Sequence, residues 1–203
     1  MGRIFTASGI VLCLVIICAP AHASLRRGLF RLGLESTFFR LSIVDYDPED
    51  GPDRDFQRVS VGAGIPHAGL NLAGTVANGW VFGGRITLGL MDDDEIFNNA
   101  RYLTWSVLPY FEYVFLTRVF RPFVTVIAGA EGVAHYSGGE PDTWWAGFKA
   151  AGGGGAHFFV HRHVSIDLTL LAGGIIGGGE QGDVKFQHWR FFTSVLFGLS
   201  GWF

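Results

Sequence analysis

The sequence predicts an all-β fold: eight antiparallel up-and-down strands closed into a transmembrane β-barrel. Three observations predict it. Apolar residues recur with a period of two through nearly the whole chain, short and long connections alternate between the periodic stretches, and the face opposite the apolar one is mostly Gly, Ser, Thr and Ala. The composition agrees, with 49% apolar residues, 30 Gly and 19 Phe against only 16% charged residues. That much aromatic surface excludes a disordered chain.

Residues 1–23 read as a cleaved export signal. Arg3 supplies the positive start, Ile10 to Ala19 the apolar run, and Ala21-His22-Ala23 the small-x-small cleavage site. About ten apolar residues are too few to cross ~30 Å as a helix. Cys18 suggests a lipoprotein alternative, but the bulky Ile17 before it argues against one. Cys13 and Cys18 are the only cysteines, so the expected mature domain, residues 24–203, contains neither thiol nor disulfide. Removing Arg3 takes the formal charge from −3 to −4. No basic stripe remains, which argues against nucleic-acid binding.

The strands follow in order. Phe30, Leu32, Leu34 and Phe38 oppose Arg31, Gly33, Glu35 and Thr37 in the first. Val59, Val61, Ala63 and Ile65 begin the second, whose phase slips around Pro66 to Gly69 before Leu70, Leu72 and Val76 resume it; a bulge or kink would absorb the odd residue. Trp80, Phe82, Ile86, Leu88 and Leu90 form the apolar face of the third, and Leu103, Trp105, Val107, Phe111 and Tyr113 that of the fourth. The fifth carries Phe120, Val124, Val126, Ala128 and Ala130; the sixth Phe148, Ala150, Ala156 and Phe158; the seventh Val164, Ile166, Leu168 and Leu170. The eighth carries Trp189, Phe191, Val195, Phe197, Leu199 and Phe203, with Leu196 and Trp202 interrupting its small-residue face. Three connections are expected to be short, at 77–79, 116–118 and 160–163, the first with the Asn-Gly pair that hairpins favour. Four are expected to be long, near 45–57, 92–100, 134–144 and 173–183.

Alternation alone fits a soluble barrel of lipocalin type equally well. The minor face separates the two readings, because a water-facing surface needs many charges and this one has few. Those few are Arg31, Glu35, Arg85, Glu112, Glu131, Lys149, Asp167 and Arg190, four of each sign, as the interior of a narrow barrel would require. Pairing is expected between Arg31 and Asp167 or Glu112, between Arg85 and Glu35, and between Glu131 and both Lys149 and Arg190. Such pairs would plug a lumen that eight strands leave only wide enough for side chains. The apolar face then meets lipid, where only a closed sheet satisfies its own backbone.

In its signal, strand count, turn alternation and final strand, the chain resembles the small outer-membrane β-barrel family of Gram-negative bacteria, which includes the OmpA transmembrane domain and the OmpX-like and OmpW-like proteins. The resemblance implies residence in the outer membrane as a monomer, among lipid and lipopolysaccharide, with short turns in the periplasm and long loops outside. It also implies that the terminal strand is read by the barrel assembly machinery. Val195, Phe197, Leu199 and Phe203 match that pattern, whereas Gly201 supplies no side chain.

The family hosts several activities, so function must come from residues. Acids crowd the expected loops: Asp45, Asp47, Glu49, Asp50, Asp53 and Asp55 in the first, and Asp92, Asp93, Asp94 and Glu95 in the second. They suit divalent cations shared with lipid phosphates, or simply a solvated loop; the glycine of 45–55 falls one place late for an EF-hand. His135 and Ser137 resemble the His-x-Ser element of lipid A 3-O-deacylases, with Glu140 a loose third member. His161 and His163 suggest a metal, or merely a polar turn. The preferred reading is a non-enzymatic barrel without cofactor, acting in structure or surface interaction; the alternatives are a narrow pore, a His135/Ser137 esterase and a soluble carrier.

Overall fold

The computed structural model describes residues 27–48, 56–63, 68–93, 100–115, 120–137, 140–182 and 184–203. The export signal therefore lies outside the described residues. Among the described residues nine strand segments follow one another: β1 (Phe30–Pro48), β2 (Phe56–Ala63), β3 (Ala68–Ala77), β4 (Trp80–Asp93), β5 (Ala100–Val114), β6 (Phe120–Ser137), β7 (Glu140–His161), β8 (Val164–Gln181) and β9 (Val184–Trp202).

β2 and β3 share one strand position, so the nine segments make eight staves. β2 pairs with the upper part of β1, from Phe39↔Ala63 to Tyr46↔Phe56, and β3 with its lower part, from Phe30↔Gly74 to Ser36↔Ala68. The phase slip expected around Pro66 to Gly69 overlaps residues 64–67, which lie outside the described residues. From β3 onward each segment pairs antiparallel with the next. β9 returns to β1 from Arg31↔Trp202 to Pro48↔Phe186 and closes the ring. Phe30 and Phe203 extend that seam by exchanging two backbone hydrogen bonds of 2.9 Å, so the last strand is held along its full length.

The strands run further than the sequence suggests. Residues 173–183 were expected to form a long loop, yet β8 continues to Gln181 and turns at Gly182 (φ +58°) into β9. Residues 134–144 likewise belong mostly to β6 and β7. Glycine usually weakens a strand, but here the lumen face demands it. A Cβ on Gly153 would collide with the Leu170 carbonyl, and one on Gly155 with the Leu168 carbonyl. Only bare Cα atoms let β7 and β8 approach at this curvature. Of the expected tight turns, Asn78-Gly79 (φ +79°) and Arg162-His163 are present. Residues 116–119 lie outside the described residues.

The apolar face is outside. Ile176 is 73% exposed, Phe38 69% and Phe148 60%, whereas Arg31 is 2% and Glu112 3% exposed. This inverts the distribution of a soluble protein. It also overturns the soluble-carrier alternative, which needs the greasy flank around a central cavity. Twelve steps of β9 from Trp189 to Gly201 rise about 40 Å along the strand, or about 30 Å after a tilt of ~40°, the thickness of a bilayer core. Aromatic residues gather at both edges. Trp80 stacks on Phe111 at 4.9 Å and meets Tyr113 at 4.6 Å near the short turns, while Trp144 and Trp189 stand exposed toward the other end.

Candidate functional site in the barrel lumen

Alternation turns one residue in two inward, and the inward residues form three tiers. The lowest lies near the short turns. Arg31 of β1 donates through Nη1 to Glu112 Oε1 of β5 at 2.9 Å and through Nη2 to the Tyr110 hydroxyl. His157 of β7 sits 3.2 Å from the same Glu112 oxygen through Nε2 and 2.7 Å from Asp167 Oδ1 of β8 through Nδ1. Ser165 donates to Asp167 at 2.7 Å, Ser200 donates to its other oxygen, and Trp202 Nε1 donates to Ser165 Oγ at 2.9 Å. Rings close the gaps. His157 stacks on Phe123 at 4.5 Å, and the Arg31 guanidinium lies 5.1 Å from the Trp202 ring. Arg31 meets Glu112, and His157 bridges Glu112 and Asp167, the kind of pairing that burial of a charge requires; Arg121 of β6 is buried here as well, its guanidinium 4.5 Å from the Phe159 ring.

The middle tier is the ion pair of Arg85 and Glu35, whose second carboxylate oxygen accepts from Asn71 Nδ2 at 3.2 Å. In the upper tier Lys149 pairs with Glu131, and Arg40 Nη2 reaches Glu131 Oε1 at 3.3 Å. Arg40 and Lys149 also lie over the Phe192 ring at 5.0 and 4.7 Å, and Arg190 lies over Trp145 at 5.0 Å. Between the middle and upper tiers is a cavity of about 220 Å³.

Of the eight expected interior charges, the structure places Arg31 beside Glu112, Arg85 beside Glu35 and Lys149 beside Glu131. Asp167 bonds to His157, and Arg190 lies over the Trp145 ring. Beyond the eight expected charges, Arg121 and Arg40 also point inward. Phe38 is an extra residue in β1, between Thr37↔Leu196 and Phe39↔Val195, so the alternation reverses there. The doublet Phe38-Phe39, followed by apolar Leu41 and Ile43, is the sequence signal of that reversal. His157 and Tyr110 were legible too, each standing next to a lipid-facing Phe.

The lower tier contains Ser, His and Asp, but not as a nucleophile relay. Both serines donate to Asp167, and the histidine face that a catalytic serine would use is turned to Glu112. His135 lies on β6, while the Ser137 side chain falls outside the described residues. At the short turn His163 Nδ1 bonds the Trp202 carbonyl at 2.7 Å, which pins the final strand. Among the described residues no three metal-ligating side chains converge. Asp45 and Asp47 end β1, and Asp92 and Asp93 end β4, all at the end away from the short turns. Their side chains, with Glu49, Asp50, Asp53, Asp55, Asp94 and Glu95, lie outside the described residues.

On β9, Phe197, Leu199 and Phe203 are exposed at 53%, 54% and 67%, and Val195 is half-buried beside them. A Cβ at Gly201 would lie 3.0 Å from the Phe203 ring, so the glycine in this pattern makes room for the terminal aromatic.

No protein-family model matches the chain, and no curated protein matches it. Solved structures do. The outer membrane protein OprG from Pseudomonas aeruginosa aligns with a TM-score of 0.57 at 10% identity, over 89% of this chain and 98% of its own. Neisserial surface protein A aligns with a TM-score of 0.51 at 12% identity, over 86% and 98%. At these identities the likeness is one of fold. The fold and the apolar exterior together are those of a small Gram-negative outer-membrane β-barrel: all-β, eight staves, up-and-down and antiparallel.

Proposed function

We propose that this chain is a monomeric outer-membrane barrel with a structural or surface-interaction role, its lumen sealed and its acidic end turned outward. The observation that carries this reading is the lower tier. Arg31, Glu112 and His157, at 2%, 3% and 1% exposure, fill the section near the short turns together with Trp202, Phe123 and Phe159. An eight-stranded lumen has about the width of the side chains that fill it, so a paired and stacked tier leaves ions no path. Binding then falls to the loop end, where Asp45, Asp47, Asp92 and Asp93 stand among the last residues of β1 and β4. Val195, Phe197, Leu199 and Phe203 serve beforehand as the strand that the assembly machinery reads.

Two measurements test this. Purified barrel in planar bilayers should show no steady unitary conductance; a stable conducting state in most insertions would replace the plug with a pore. On intact cells, removing residues 49–55 or 94–99 should change what the cells bind. Unchanged binding after both deletions would leave the barrel with a structural role only.

A further inference from the structure

The short turn between β7 and β8 carries His161, Arg162 and His163, all exposed, and sets the two imidazoles 5.9 Å apart, centre to centre. The two rings are held differently. His163 Nδ1 lies 2.7 Å from the Trp202 carbonyl oxygen, which can only accept, so the proton of the neutral ring sits on Nδ1 and Nε2 keeps its lone pair. A backbone carbonyl behind one nitrogen is the usual support of a histidine that ligates a metal through the other. His161 is held only by the backbone N–H of His163, which donates to its Nδ1 at 3.4 Å, well beyond the usual ~3.0 Å. Little is lost when that ring turns.

We propose that His161 and His163 bind a divalent transition-metal ion, copper(II) ahead of zinc(II), at the short-turn end of the barrel. Imidazole nitrogen suits both ions, and divalent affinities for such ligands peak at copper. At a metal–nitrogen distance of ~2.0–2.1 Å, two imidazoles sharing an ion have ring centres about 5 Å apart, so moving the His161 ring about 1 Å toward His163 reaches that geometry. Water completes the coordination shell. Arg162 between them is exposed, where solvent and salt screen its charge from the ion. The consequence is mechanical. Through His163 the ion fastens the β7–β8 turn to the Trp202 carbonyl, on the strand that closes the ring. The site uses neither the lumen nor the long loops, so a conducting barrel or unchanged loop binding would leave the inference intact.

The test is titration of the full barrel, free of any affinity tag and folded in an uncharged detergent, with copper(II) chloride and with zinc(II) chloride. Magnesium chloride is present throughout to occupy any site built of oxygen ligands. Saturable one-to-one binding of copper(II) is expected, with zinc(II) bound more weakly and both released on acidification, because protons compete for the imidazole lone pairs. Electron paramagnetic resonance of the copper complex should show two imidazole nitrogens in the wild type and one in His161→Gln, a variant that leaves the bond from His163 to Trp202 in place. Either His161→Gln or His163→Gln should weaken copper binding at least ~100-fold, since loss of a supporting outer partner alone costs ~10–100-fold. Saturating copper should raise the urea midpoint of the wild type and not that of His161→Gln. Absence of saturable copper binding, or wild-type affinity in the double variant of His161→Gln and His163→Gln, would overturn the proposal.

Discussion

Replacing Glu112 by Gln probes the lower tier most directly. Glutamine keeps the shape and one acceptor oxygen but removes the charge that Arg31 meets at 2.9 Å and His157 at 3.2 Å. Arg31 would remain buried beside Tyr110 and Trp202, its carboxylate partner gone. Breaking a buried pair from one side costs about 3–5 kcal/mol. Since Gln retains an acceptor, about 3 kcal/mol is expected, roughly two decades in the unfolding constant. Combining it with Arg31→Met removes the orphaned cation as well. The double variant should then lose less than the two single losses together, with a coupling of about 2–3 kcal/mol. The assay is urea unfolding of barrel folded into thin-bilayer vesicles, followed by tryptophan fluorescence, to which Trp202 contributes from within the tier. Glu180→Gln is the control: its carboxylate accepts from Trp144 on the exposed surface, and the change should stay within ~0.5 kcal/mol. A loss below about 1 kcal/mol for Glu112→Gln, or strict additivity with Arg31→Met, would refute the view that these charges hold one another in place.

Two further outcomes follow from the wall of the barrel. Gly153→Ala should destabilise by about 1–3 kcal/mol, because its methyl meets the Leu170 carbonyl, whereas Gly152→Ala, with nothing nearer than the Thr125 carbonyl at 3.9 Å, should be neutral or gain up to ~1 kcal/mol. Equal urea midpoints for the two variants would show that the wall can relax at Gly153. Deleting Phe203 removes its two backbone bonds to Phe30, a loss of about 1–3 kcal/mol in vitro, yet should reduce the folded barrel recovered from outer membranes far more than its refolding yield. Parallel losses in cells and in vitro would reduce the terminal residue to a strand end and nothing more.

The fold was legible in the chain of residues alone, because lipid imposes one rule on every strand: alternate residues must be apolar, and the others must fit inside a closed ring. Phe82, Ile86 and Leu88 opposing Gly83, Arg85 and Thr87 express that rule locally, with no knowledge of neighbouring strands. The pairing partners of Arg31, Arg85 and Lys149 were legible for the same reason, since height along each strand ranks the inward charges. Tertiary structure decided what depends on register between strands. The extra residue at Phe38 shows fully only against β9, and it is what carries Arg40 inward to Glu131. The glycine run of β8 looked like a loop because its conformation is set by the approach of β7, not by any preference of its own. His157 could be assigned to the inward face from alternation, but its link between Glu112 and Asp167 needed three staves brought together, a distance relation that no single strand encodes.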